Sequence, residues 1–164
     1  MDLAGLIECV PNVSEGRDAG VIGALAHACG PDLLDVHTDP DHHRSVFTLA
    51  GTPESVEAAM QSLAAACVAR VDLAGHDGVH PRLGALDVVP FVDLDPKTDE
   101  RLAVDAARRF AAWLGAELEV PAFLYDAADP GGRSLPAVRR GAFSTHHPDH
   151  GPPAPHPSAG ASAV

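Results

Sequence analysis

Large side chains are scarce in this sequence: aromatics make up 4% of its 164 residues, with one tryptophan and one tyrosine. A core must therefore be built mostly from alanine, valine and leucine. Phe47, Phe91, Phe110, Trp113, Phe123 and Tyr125 are the few large fillers. Basic residues are also few, 11 against 23 acids, for a net charge of −12. That balance opposes a phosphate-tracking surface and excludes nucleic acid as an expected partner. Cysteine is limited to Cys9, Cys29 and Cys67, an odd number without Cys-x-x-Cys spacing. Neither a disulfide framework nor a zinc knuckle is suggested, and a reducing cytoplasm fits best. No run of about 18 apolar residues occurs, and the first residues lack the basic stretch of a signal peptide, so neither membrane nor export is expected.

What is present is enough for one domain with a real core. Leu6 to Val10 reads as a strand leading into a loop from Pro11 to Arg17. Asp18 then caps a helix from about Ala19 to Cys29, stopped by Gly30-Pro31. Asp32 to Val36 and Ser45 to Ala50 read as strands, joined through a polar segment, Asp39 to Arg44, that is longer than a tight hairpin turn. Thr52-Pro53-Glu54 opens an amphipathic helix to about Val71. Leu86 to Val92 is nearly all apolar and reads as a buried strand. A helix from Asp95-Pro96 to Leu114, a strand from Val120 to Tyr125 and a short helix from Ser134 to Gly141 complete the pattern. The order predicts an α+β fold: a ferredoxin-like sandwich, its mixed sheet carrying helices packed on one face.

The segment Gly75-His76-Asp77-Gly78-Val79-His80-Pro81-Arg82-Leu83-Gly84-Ala85-Leu86-Asp87 holds the chemistry-bearing residues. Two imidazoles, two carboxylates and a guanidinium lie in a glycine-marked loop that runs into an apolar strand. Histidine titrates nearest neutrality, so His80, beside the rigid Pro81, can accept and return a proton. The alternative is a loop whose polar groups only cap its own backbone. Arg17, Arg44, Arg82 and Arg133 lie beside similar loops, where an anion site could be assembled.

From Thr145 the composition changes. His146, His147, His150 and His156 are mixed with prolines and no hydrophobic period, so residues 1–144 read as the folded unit and 145–164 as a flexible tail. A metal is the rival chemistry: Asp39, Asp41, His42, His43, His76 and His80 offer nitrogen and oxygen ligands. Adjacent histidines on a strand diverge and a proline-rich tail fixes no geometry, so no metal is expected.

Three runs taken in order, Glu8-Cys9-Val10-Pro11-Asn12-Val13-Ser14-Glu15-Gly16, His80-Pro81-Arg82-Leu83-Gly84-Ala85-Leu86-Asp87 and Gly131-Gly132-Arg133-Ser134-Leu135-Pro136, resemble the amino-terminal subdomain of glutamate formimidoyltransferases. The resemblance covers essentially the whole chain. It implies transfer of the formimino group from N-formimino-L-glutamate to the co-substrate tetrahydrofolate, giving 5-formiminotetrahydrofolate and glutamate, within histidine degradation and one-carbon metabolism. It places the catalytic histidine on His80; on chemical grounds Asp77 or Asp87 is the candidate to orient its other ring nitrogen. Arg44 and Arg82 become candidates for the substrate carboxylates, and Asn12 and Ser14 for neutral hydrogen bonds to pterin or amidine. The segment Gly151, Pro152, Pro153, Ala154, Pro155, His156, Pro157, Ser158, Ala159, Gly160 is implied to bind the folate rather than to hang free. Family enzymes close their cleft with a second subdomain, so a second subdomain or a second copy is an expected partner. The alternatives are a non-catalytic folate-binding or partner subunit lacking that subdomain, and a histidine-rich metal-binding protein.

Overall fold

The computed structural model describes residues 3–77, 82–95 and 101–164. Two prolines shape its central strands. β1 (Ile7–Cys9) and β2 (Asn12–Val13) lie end to end along β4 (Arg44–Gly51), with Cys9 opposite Leu49 and Asn12 opposite Val46. The break between them falls at Val10-Pro11, because proline has no N–H to give the ladder. β5 (Leu86–Val88) and β6 (Phe91–Asp93) are interrupted in the same way at Val89-Pro90, where the Pro90 carbonyl accepts from the Val10 N–H at 3.2 Å. The single strand expected over 86–92 is thus two short ones, β6 pairing with β1 and β5 with β2.

β3 (Leu33–Asp39) pairs antiparallel with β4, so the composite order is β3, β4, β1–β2, β5–β6. All these pairs are antiparallel. With α1 (Ala19–Cys29) after β2 and α2 (Pro53–Arg70) after β4, the chain follows β-α-β-β-α-β with spatial order 2-3-1-4, the ferredoxin-like arrangement expected. The β3 and β4 strands run further than expected, leaving only residues 40–43 to turn.

Helix starts follow local chemistry. The Asp18 carboxylate accepts from the Gly20 and Val21 N–H groups, Thr52 Oγ1 from Ser55, and Ser134 Oγ from Ala137 at the head of α4 (Leu135–Gly141). α3 is described from Arg101 to Glu117; its expected opening at Asp95-Pro96 runs into 96–100, outside the described residues. α1, α2 and α3 form one layer on the sheet, burying Leu25, Met60, Leu63, Phe110 and Leu114 against Ile7, Cys9, Phe47 and Leu49. Alternation along β7 (Ala122–Phe123) sends Ala122 and Leu124 into this core. Phe123 enters a second, smaller cluster with Val138 of α4, so α4 covers the other face.

The last residues are not a free tail. β8 (Ser162–Ala163) inserts parallel between β5 and β7, and Ala159, Ala161, Ala163 and Val164 are buried. Composition misleads here because the segment packs through small side chains and close backbones. A Cβ on Gly84 would run into the Ala161 carbonyl oxygen, and Gly160 has φ +68°, which only glycine takes without strain. Further up, a Cβ on Gly115 would lie 2.5 Å from the Gly151 nitrogen. Residues 150–164 therefore form a strap pinned at both ends.

Candidate active site

Where β2 ends, the chain is locked to the run that enters β5. Buried Ser14 donates its Oγ to the Gly84 carbonyl at 2.8 Å and its N–H to the Ala85 carbonyl at 2.8 Å. Gly16 follows in a place no side chain fits: a Cβ there would lie 2.5 Å from the Asp39 carbonyl. This presses the Glu15-Gly16 turn onto the β3–β4 turn. Ser45 Oγ donates to the Glu15 carbonyl at 2.6 Å, and the Gly16 N–H donates to His43 Nδ1 at 3.0 Å. His43 is held at φ +51°, an uncommon value for a non-glycine residue.

Around His43 a polar cluster assembles from three distant parts of the chain. Glu15 accepts from the Arg17 and Asp18 N–H groups at 2.7 and 3.0 Å and stands 3.5 Å from His43 Nδ1. The His43 and His76 rings lie 4.1 Å apart at 33°. His76 Nε2 is 2.5 Å from Arg82 Nη1 and 3.0 Å from the Ser14 carbonyl oxygen. Arg82 also reaches the carbonyls of His43 and His42, each at 3.4 Å. Burial, then the Arg82 and His43 charges, push the His76 pKa below the usual histidine value, so the neutral ring is favoured. Arg17 donates from Nε to the Pro40 carbonyl at 2.9 Å and pairs with Asp77 at 2.6 Å, which holds the Asp77 carboxyl below its ordinary range.

His80, the expected catalytic residue, lies outside the described residues, as does Pro81. Its two flanks are described, and both are anchored: Asp77 by Arg17, Arg82 by His76 and the β3–β4 turn. Asp87, the other expected orienting group, is buried in β5 and has its own partners. Its Oδ2 meets Arg139 of α4 at 2.6 Å, and its Oδ1 accepts from the Leu83 and Gly84 N–H groups. Asn12 is half-buried opposite Val46 and Val88, and Arg44 opens β4 opposite Asp39. Ser14 spends its hydroxyl on Gly84.

The strap reaches the same region from the other side. The Ala161 N–H donates to the Leu83 carbonyl at 3.1 Å, and the Leu73 N–H donates to the Ser158 carbonyl at 2.9 Å. His156 closes the strap's bend: its N–H and carbonyl exchange bonds with Gly160, and its Nδ1 accepts from the Ser158 and Ala159 N–H groups. A cavity of about 340 Å³ opens beside it, lined by Glu119, Pro152, Ala154, Pro155, His156 and Pro157. Asp149 ties the strap's start to the Gly-Gly-Arg run, meeting Arg133 Nη2 at 2.6 Å, while Arg133 also pairs with Asp129 at 2.8 Å.

Among the described residues no three His, Cys, Asp or Glu side chains are grouped to hold a metal ion. His42 turns to Asp39, 2.6 Å away, while His43 turns to Gly16 and His76. All three cysteines are buried and free. No described helix is long and apolar enough to cross a membrane. Glu15 carries no assigned role in the sequence although it stands inside the first motif, His43 is read there only as a candidate metal ligand, and His76 both as one and as the second imidazole of the glycine-marked loop. Their meeting depends on contacts across 27 and 62 residues, which local pattern does not carry.

Fold and site together define an α+β domain of ferredoxin-like arrangement with a histidine–arginine cluster where the central strands meet the β3–β4 turn. The chain belongs to the formiminotransferase domain family, N-terminal subdomain, which matches residues 6–164. It is 37% identical over 177 residues to the glutamate formimidoyltransferase of Streptococcus pyogenes serotype M1, covering 99% of this chain and 59% of that protein. It is 41% identical to the formimidoyltransferase-cyclodeaminase of Sus scrofa, covering 99% of this chain and 32% of that one. The glutamate formimidoyltransferase of Thermoplasma acidophilum is 42% identical over 148 residues, covering 84% of this chain and 47% of its own. The chain thus spans between 32% and 59% of the length of these curated relatives.

Proposed function

We propose that this chain is the N-terminal part of a glutamate formimidoyltransferase, moving a formimino group from N-formimino-L-glutamate to tetrahydrofolate. The observation that carries the reading is the family match over residues 6–164, with relatives of that name aligned along 99% and 84% of the chain. The N5 amine of tetrahydrofolate attacks the amidine carbon, a C–N bond forms, and a tetrahedral adduct results. The bond to the glutamate nitrogen then breaks and that nitrogen takes up a proton. His80 accepts the proton shed by N5 and returns it to the leaving nitrogen, work worth about 10²–10⁴-fold in rate. Asp77 is the orienting group favoured here, since Asp87 is taken up by Arg139 and the Leu83–Gly84 turn; Arg44 and Arg82 serve the substrate carboxylates and Asn12 the pterin or amidine, while Ser14 holds the turn through Gly84. A bidentate guanidinium suits a carboxylate better than an ammonium does.

The strap from Gly151 to Gly160 is proposed to take the folate. Supporting this are its junction with Leu83 and Gly84, directly after the His-Pro-Arg run, and the cavity beside His156. The relatives' greater length supports a partner: a second subdomain, or a second copy, closes the other wall of the cleft. Orienting two substrates is worth about 7–11 kcal/mol of barrier, so one wall gives little turnover. The test follows 5-formiminotetrahydrofolate formation by residues 1–164 alone and joined to the region that follows in the relatives. Transfer by the joined protein well above that of the chain alone is expected; no transfer by either overturns the reading.

A further inference from the structure

We propose that Glu15 is the carboxylate that receives the amidinium group of the formimino donor, and so selects an amidine over a neutral formyl compound. The identity of the donor rests on the formimino-transfer reading; the presence of a cation-seeking carboxylate does not. A carboxylate offers about four acceptor positions on its two oxygens. Glu15 Oε1 uses two of them, accepting from the Arg17 N–H at 2.7 Å and the Asp18 N–H at 3.0 Å. Among the described residues nothing donates to Oε2. His43 Nδ1, 3.5 Å away, does not neutralise the group. That nitrogen accepts from the Gly16 N–H at 3.0 Å, so it presents a lone pair and has no proton to turn toward Glu15. The other carboxylates at this end of the sheet are matched: Asp39 with His42, Asp77 with Arg17 and Asp87 with Arg139, each at 2.6 Å. Glu15 has no lysine or arginine partner among the described residues, although its side chain is only 13% exposed. A charge withdrawn from water without a counter-charge is costly, and a cationic ligand removes that cost.

The carboxylate is also held still. Ser45 Oγ donates to the Glu15 carbonyl at 2.6 Å, and Gly16 is pressed against the backbones of Asp39 and Arg44, where no Cβ fits. A group fixed in this way loses little freedom when a ligand meets it. Its surroundings supply the complement. Arg82 donates to the His43 carbonyl at 3.4 Å, so Glu15 and a guanidinium both border His43, the one at its ring and the other at its carbonyl. N-formimino-L-glutamate carries the opposite set of charges, an amidinium and two carboxylates. A neighbouring carboxylate favours the protonated amidine, whose carbon is the better electrophile for an incoming amine. N-formyl-L-glutamate has the same skeleton with a neutral amide, and offers Glu15 no charge to pair.

Glu15→Gln keeps an oxygen for the Arg17 and Asp18 N–H groups and removes only the charge, so a role confined to capping that turn would leave the variant silent. The joined protein is titrated by calorimetry with each compound. N-formimino-L-glutamate is expected to bind Glu15→Gln about 10–100-fold more weakly than the parent, the range of a hydrogen bond to a charged group. N-formyl-L-glutamate is expected to change by less than about threefold, since it makes no charged hydrogen bond there. Glu15→Gln retaining the parental preference for the amidine overturns the proposal. Formamidinium and formamide probe the carboxylate without the donor. Each is added to residues 1–164 at fixed ionic strength while the Glu15 carboxyl carbon is followed by magnetic resonance. Formamidinium is expected to shift that signal and formamide to leave it in place; an equal response to the two overturns the proposal. A shift with formamidinium alone, in a protein whose joined form transfers nothing, supports the amidinium site and counts against the formimino-transfer reading only.

Discussion

Asp87 shows how a single carboxylate can hold a turn rather than a substrate. It is buried in β5, accepts from two N–H groups of the run before it, and meets Arg139 from α4 at 2.6 Å. Asp87→Asn removes the charge from that pair while keeping the side chain's size. We expect a loss of about 3 kcal/mol in unfolding free energy, measured by denaturant titration, since breaking a buried pair by removing one partner is costly. A loss under about 0.5 kcal/mol, the range of ordinary surface changes, would show that Arg139 contributes nothing here.

Two other residues contribute to how stability varies with acid. Hydrogen bonds from Arg133 hold the Asp129 carboxyl down at about 2, against an ordinary 3.8. Its folded pKa is depressed, so its stabilisation is complete above the unfolded value and is lost as pH falls from 3.8 toward 2. His76 is also depressed, but it is a base: the unfolded chain binds its proton more readily, so stability falls as pH drops through and below 6.5. Unfolding midpoints measured against pH are expected to decline in two separate windows. Asp129→Asn should flatten the lower window and leave the upper one. A lower window of unchanged size in that variant would contradict the assignment to Asp129.

At the scale of elements, the chain announces what is local and hides what is not. Asp18, Thr52-Pro53 and Ser134 mark helix starts within a few residues of themselves, and α1, α2 and α4 begin where those signals stand. β8 carries no such signal. Ser162-Ala163 has neither branched nor aromatic side chains, and its partners in β5 and β7 lie about 75 and 40 residues earlier. Only the glycines opposite it record the close approach. Gly84→Ala drives a Cβ into the Ala161 carbonyl, and β8 must shift. We expect a loss of about 1–3 kcal/mol, the cost of overpacking, together with faster proteolysis within 145–164. Unchanged stability and unchanged cleavage would mean that the strap does not need its seat on Gly84.

For the whole molecule, the ferredoxin-like order was legible because strand and helix periods alternate cleanly up to Arg70. The strap was not, because small residues packed on glycine leave no hydrophobic period. The site divides in the same way. The His-Pro-Arg run could be read from its own residue types, whereas Glu15, His43 and His76 gather beside Arg82, its one described residue, only through the fold. Asp77 and Asp87 illustrate the limit from the other side, since their described partners, Arg17 and Arg139, are 60 and 52 residues away.

The account stands on His80 as the group that moves the proton between the folate amine and the leaving glutamate nitrogen. The direct measurement compares formimino transfer to tetrahydrofolate by the joined protein and by its His80→Ala variant, with the unfolding midpoint of each recorded alongside. The account predicts a rate loss of about 10²-fold or more with the midpoint unchanged. A variant that transfers within about threefold of the parent, far inside what general acid–base catalysis contributes, would contradict it.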